Sequence, residues 1–178
     1  MKRLAWVLVF SVVPMFMAFS RSAADEGLSV GYGLAALSYE KQVGRIQGGR
    51  YYDFFQLTFI YERPFQDYKP LAVYVEPFAS YVNRPDSGLD GGLYLGLKYY
   101  PLDPERKGLY IIGGTGTAYT TIKFREQGTH MLFILEAGAG YRFQRFFVEE
   151  VLRHYSNGGT ASPNRSVQAD ILSVGFYF

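Results

Sequence analysis

The fold turns on Gly91-Gly92-Leu93-Tyr94-Leu95-Gly96-Leu97-Lys98-Tyr99-Tyr100. Leu93, Leu95, Leu97 and Tyr99 fall on one side of an extended chain. Tyr94, Gly96, Lys98 and Tyr100 fall on the other, because successive side chains of a strand point to opposite faces. A helix of this sequence would scatter the leucines around its axis. Alternation over about ten residues therefore reads as a strand.

The same pattern recurs on both sides. Upstream are strands at about Leu28 to Leu37, Tyr51 to Glu62 and Leu71 to Val82. Downstream are strands at about Leu109 to Thr121, Met131 to Phe143, Phe146 to Ser156 and Val167 to Phe178. In the second, Phe55, Leu57, Phe59 and Tyr61 oppose Gln56 and Thr58. In the third, Val73, Val75 and Tyr81 oppose Glu76 and Ser80. In the sixth, Phe133, Leu135, Ala137 and Tyr141 oppose Glu136, Gly138 and Arg142. Turn-rich stretches separate the strands, among them Arg84 to Gly88, Asp103 to Gly108 and Arg125 to Gly128. Eight strands with one apolar and one polar face predict an all-β, eight-stranded antiparallel transmembrane barrel of the outer-membrane type. A soluble lipocalin-like barrel alternates in the same way with the faces exchanged. The terminal Phe178, preceded by Phe176, Val174 and Leu172, favours the outer membrane, where a final strand ending in Phe is familiar in proteins inserted by the barrel assembly machinery. Longer segments fall after the first, third, fifth and seventh strands, and shorter turns after the second and sixth. Long loops lie outside the cell in such barrels, so the end of strand seven is expected near the outer-leaflet boundary.

Residues 1–24 read as a cleaved signal peptide. Lys2 and Arg3 precede an apolar run from Leu4 to Phe19, and Ser22-Ala23-Ala24 offers small residues before a cut. The single barrel domain would then be residues 25–178. The leader holds Lys2, Arg3 and Arg21, leaving 15 of the 18 basic residues against 16 acidic ones. That balance gives no case for nucleic-acid binding. Nothing after Ala24 is apolar for long enough to form a transmembrane helix. With no cysteine, stability must come from closure of the barrel rather than from disulfides.

The chemistry-bearing stretch is His154-Tyr155-Ser156-Asn157-Gly158-Gly159. On a strand His154 and Ser156 share a face, about 6.6–7 Å apart, and a nucleophile–base pair can close that gap. Neither face of strand seven is cleanly apolar, so alternation leaves open whether the pair meets lipid or lumen. Elsewhere, His130 reads as a lone loop-edge histidine without a partner in reach. Gly113-Gly114-Thr115-Gly116 lacks the Lys-Ser/Thr of a phosphate loop and reads as small residues on a barrel strand. Glu136, Lys98 and Arg142 read as charges paired in the lumen. No cluster has metal-ligand spacing.

With Pro163-Asn164 following, the stretch His154 to Gly159 resembles the lipid A 3-O-deacylase (PagL) family, whose members carry an HxSN(A/G)G motif and a PN pair. The likeness is motif-level over residues 154–164 and architectural over the rest. It implies an outer-membrane serine esterase that removes the 3-O-linked acyl chain of lipid A and needs no cofactor. By this resemblance Ser156 is the nucleophile, His154 the general base, and Asn157 with the backbone around Gly158 and Gly159 the oxyanion hole. The family's catalytic Glu lies twelve residues after the serine, where this chain has Gln168. An amide can hold the imidazole tautomer but brings no charge. The corresponding Asp→Asn change in a chymotrypsin-type protease costs about 10⁴ in kcat. Asp170, two residues on, could take the place only with a shift in register, and Ser166 stands where the family often has glycine. Implied partners are lipid A or lipopolysaccharide in the outer leaflet, the outer-membrane lipids, the barrel assembly machinery during insertion and, as an option, a second copy in a homodimer. The rival reading is a non-catalytic eight-stranded barrel of the OmpA/OmpX kind, or a deacylase relative inactivated by Gln168.

Overall fold

A computed structural model describes residues 24–40 and 45–178, with side chains outside 36–50. The predicted leader, apart from Ala24, lies outside the described residues. The chain forms β1 (Asp25–Glu40), β2 (Arg45–Pro64), β3 (Leu71–Asn83), β4 (Gly88–Tyr99), β5 (Gly108–Thr120), β6 (Met131–Phe143), β7 (Phe146–Ser156) and β8 (Ser166–Tyr177). Each strand pairs antiparallel with its neighbour in sequence, and β8 closes on β1. No helix of the described residues is long and apolar enough to cross a membrane, which bears on helices only.

The alternation of β4 is realised with its apolar face outward. Leu93, Leu95 and Leu97 are 47%, 39% and 45% exposed, while Tyr94 and Lys98 are completely buried. Phe55, Leu57 and Phe59 on β2 and Phe133 and Leu135 on β6 also point out. A soluble barrel would have these faces the other way round. An apolar outer wall around a polar interior is what a bilayer demands.

An eight-stranded barrel is just wide enough for side chains to fill. At the end holding both described termini, Glu62 accepts from Tyr100 and Tyr177 and lies beside Arg106 and Arg142, which also reach Asp25. Midway, Lys98 bridges Glu76 at 3.0 Å and Glu149 at 3.2 Å, and Tyr110 donates to Glu149. Beyond it Arg153 bonds Glu136 and Gln56, and Tyr74 donates to Glu136. Glu136, Lys98 and Arg142 are thus paired lumen charges, as the alternation predicts. The Gly113–Gly116 run is part of β5. Gly114 faces inward where any Cβ would collide with the Tyr74 hydroxyl, so glycine there makes room for a core tyrosine.

Two expectations change. The long segment expected after the third strand is only 84–87, shorter than 65–70 after β2 and than 100–107 after β4. Within the β4–β5 link Arg106 pairs with Asp25 and Glu62. His130 does have partners: its Nδ1 lies 2.7 Å from the Thr120 carbonyl oxygen and its ring stacks on Tyr119.

Candidate functional site

Strand register fixes what alternation left open. His154 pairs with Leu135 on β6 and with Gln168 on β8, and Ser156 pairs with Phe133. Inward positions on β7 are Phe147, Glu149, Val151, Arg153 and Tyr155, all buried. Arg153 and Tyr155 are locked by Glu136 and Asp90 respectively. His154 and Ser156 therefore face outward, partly exposed, at the loop end of the wall.

Gln168 shares that face. Its Nε2 lies 2.6 Å from His154 Nδ1 and 3.2 Å from Ser166 Oγ. Ser156 Oγ accepts from Gly158 N–H at 3.1 Å and lies 3.5 Å from Asn164 Oδ1. In this resting arrangement the hydroxyl is turned toward the loop rather than toward the imidazole. Unliganded sites often hold such pairs apart until substrate arrives. Asp170 is one step further along β8, opposite Leu152 and Leu34, and does not touch the ring's partner position.

The Asn157 side chain is not bonded to Ser156. It follows Arg153 and Tyr155 in parity and is fully buried. Its Nδ2 donates to the carbonyls of Gln127, Ala161 and Pro163, and its Oδ1 accepts from Gly159 N–H at 2.8 Å. In this arrangement the Asn157 amide and the Gly159 N–H, both expected at an oxyanion hole, are engaged within the loop. Of the named donors, Gly158 N–H is the one at Ser156. Gly158 (φ 62°) and Gly159 (φ 83°) occupy the left-handed region that glycine tolerates, and the Gly158 Cα rests over the Phe133 ring.

The β5–β6 loop holds this turn from inside. Its Phe124 ring packs on Tyr52 and Tyr155, and Gln127 Nε2 donates to the carbonyls of Tyr155 and Arg165. Arg165 N–H donates to Glu126 O. Two residues without an assigned part in the sequence reading, Gln127 and Asn164, thus belong to the site's construction. Asn164 was legible as half of the Pro163-Asn164 pair. Gln127 had no local signal, since its role depends on a contact 28 residues away.

The family model for lipid A 3-O-deacylases (PagL) matches residues 35–177. The chain belongs to the PagL family. The crystal structure of the outer-membrane enzyme PagL superposes with a TM-score of 0.62 at 18% identity, covering 83% of this chain and 98% of that one. The N-terminal barrel of Pseudomonas aeruginosa OprF gives 0.55 at 17% identity, covering 86% and 97%. Yersinia pestis Ail gives 0.53 at 12% identity, covering 88% and 100%. At these identities the likenesses establish the fold. No curated protein matches the chain in sequence. Family and fold together place this PagL-family barrel in the bacterial outer membrane.

Proposed function

We propose that this protein hydrolyses the 3-O-linked acyl ester of lipid A in the outer leaflet. The observation that carries the reading is the convergence of Ser156, His154 and Gln168 on one outward face at the loop end of an apolar wall. A membrane lipid can reach that face without leaving the bilayer.

Rotation of Ser156 about χ1 turns its hydroxyl to the imidazole. Oγ attacks the ester carbonyl and Nε2 takes its proton. The new oxyanion forms within reach of the groups that flank Oγ. These are Gly158 N–H, 3.1 Å from Oγ, and the Asn164 amide, which offers its Nδ2 once turned about Cγ. The protonated imidazole then donates to the departing sugar oxygen. The resulting acyl-serine is released by water, with His154 again as base. Once turned about Cγ–Cδ, the Gln168 amide presents its oxygen instead of Nε2 to Nδ1, accepts the Nδ1 proton and holds the productive tautomer.

The test is incubation of detergent-folded protein with lipid A, followed by mass spectrometry of the lipid, with Ser156→Ala alongside. Loss of one 3-hydroxyacyl mass with the unsubstituted protein alone is the expected result. An unchanged lipid in both would leave a non-catalytic barrel, the reading that the neutral Gln168 favours.

A further inference from the structure

The outer wall carries charge on its lipid-facing side. Along β6, β7 and β8 the outward side chains are apolar or tyrosine except for a strip on β7 and β8: Ser156, His154, Ser166, Gln168, Asp170 and Glu150. Asp170 lies between Leu152 and Leu34 in the register. The ion pairs of the described residues involve inward or mouth-facing groups, and neither Asp170 nor Glu150 belongs to one. Charge on the lipid face destabilises a barrel by an amount that grows with depth. Asp170 needs a compensating cation, and the outward wall of these three strands contains no Lys or Arg. What lies beside it is His154. Because His154 pairs with Gln168, Asp170 occupies the diagonal position, with Cβ atoms roughly 7–8 Å apart or somewhat less.

Resting on the deacylase reading above, we infer that Asp170 is a positioning residue supplying through space the negative charge that Gln168 lacks. The triad's usual two duties are divided. Gln168 holds the ring by hydrogen bond, and Asp170 stabilises the imidazolium that forms as Ser156 attacks. No register shift is needed, and Asp170 does not touch the reacting atoms. Opposite charges at such range attract, and a wall of low dielectric screens that attraction less than water does. Among the described outward positions of its own strand, the other charged group is Glu150, two outward positions down. On β6 its partner is the neutral Leu135.

The experiment is a double-mutant cycle on the full, detergent-folded barrel with lipid A as substrate. It compares the unsubstituted protein, Asp170→Asn, Gln168→Glu and the double variant, with Asp170→Glu as the conservative control. Asp170→Asn should lower kcat about tenfold with KM unchanged. With Glu at 168, the same substitution should cost twofold or less. Asp170→Glu should keep most of the rate. Equal losses in both backgrounds, or no rescue by Asp170→Glu, overturn the inference while leaving the deacylase reading intact. If only the Gln168→Glu proteins cleave lipid A, Asp170 does not supply the charge and the inference fails. If no variant cleaves it, the deacylase reading fails as well.

Discussion

At the level of single residues, the orientation of one amide decides whether His154 can act as a base. Gln168 Nε2 facing Nδ1 requires an unprotonated Nδ1 and puts the ring proton on Nε2, where it blocks proton uptake from Ser156. Turned about Cγ–Cδ, the amide offers oxygen to an Nδ1 proton and frees Nε2. Ser166 Oγ, 3.2 Å away, tolerates both states because a hydroxyl accepts or donates. A carboxylate at 168 removes the unproductive state and adds charge. Gln168→Glu should therefore raise kcat by about tenfold to a hundredfold, well inside the 10⁴ bound set by the protease precedent; single-turnover acyl release measures it. Asn157 is the opposite case, a residue whose work is structural. Asn157→Asp keeps the shape but sets an acceptor against three carbonyls. Leaving such buried groups unpaired costs about 1–3 kcal/mol. The protein should still fold, but melt lower and lose most activity, as thermal unfolding beside the lipid assay will show.

Elements were more legible than the site they carry. Alternation located all eight strands, and β6 and β7 to the residue, since Phe143 and Phe146 bracket a turn too short to blur. Facing was harder on β7, where His154, Glu150 and Arg153 make both faces polar. It is settled by neighbours, because Tyr155 and Arg153 find Asp90 and Glu136 in the lumen. Once that parity is known, the burial of Asn157 follows from counting by two. The contact of the β5–β6 loop with the end of β7 is not written in either segment, being made by Phe124 and Gln127 across the mouth. Phe124→Ala should loosen that support, costing about 3–5 kcal/mol if the mouth stays open, and should raise proteolytic cutting within 157–165. The β6–β7 turn offers a contrast. Gln144 sits there at φ 47°, unfavourable for a side chain. Gln144→Gly should stabilise by up to about 1 kcal/mol without changing activity, because the site is at the far end of the barrel; equilibrium urea unfolding reads the gain.

For the whole molecule, the decisive property is which side of the wall a charge occupies, and two substitutions on one strand test it. Lys98 is buried between Glu76 and Glu149, so Lys98→Met leaves two carboxylates without their cation. Breaking a buried pair from one side costs about 3–5 kcal/mol. Leu95, three residues earlier on β4, points out. Leu95→Lys places the same ammonium in hydrocarbon, and the cost near the bilayer midplane is about 2–4 kcal/mol. Both variants should therefore unfold at lower urea in lipid vesicles, although one removes a charge and the other adds it. A barrel with an aqueous exterior would tolerate Leu95→Lys within about 0.5 kcal/mol, as an exposed surface change does. A full loss at Lys98 with none at Leu95 would contradict the apolar band on which lateral access of a lipid to Ser156 depends.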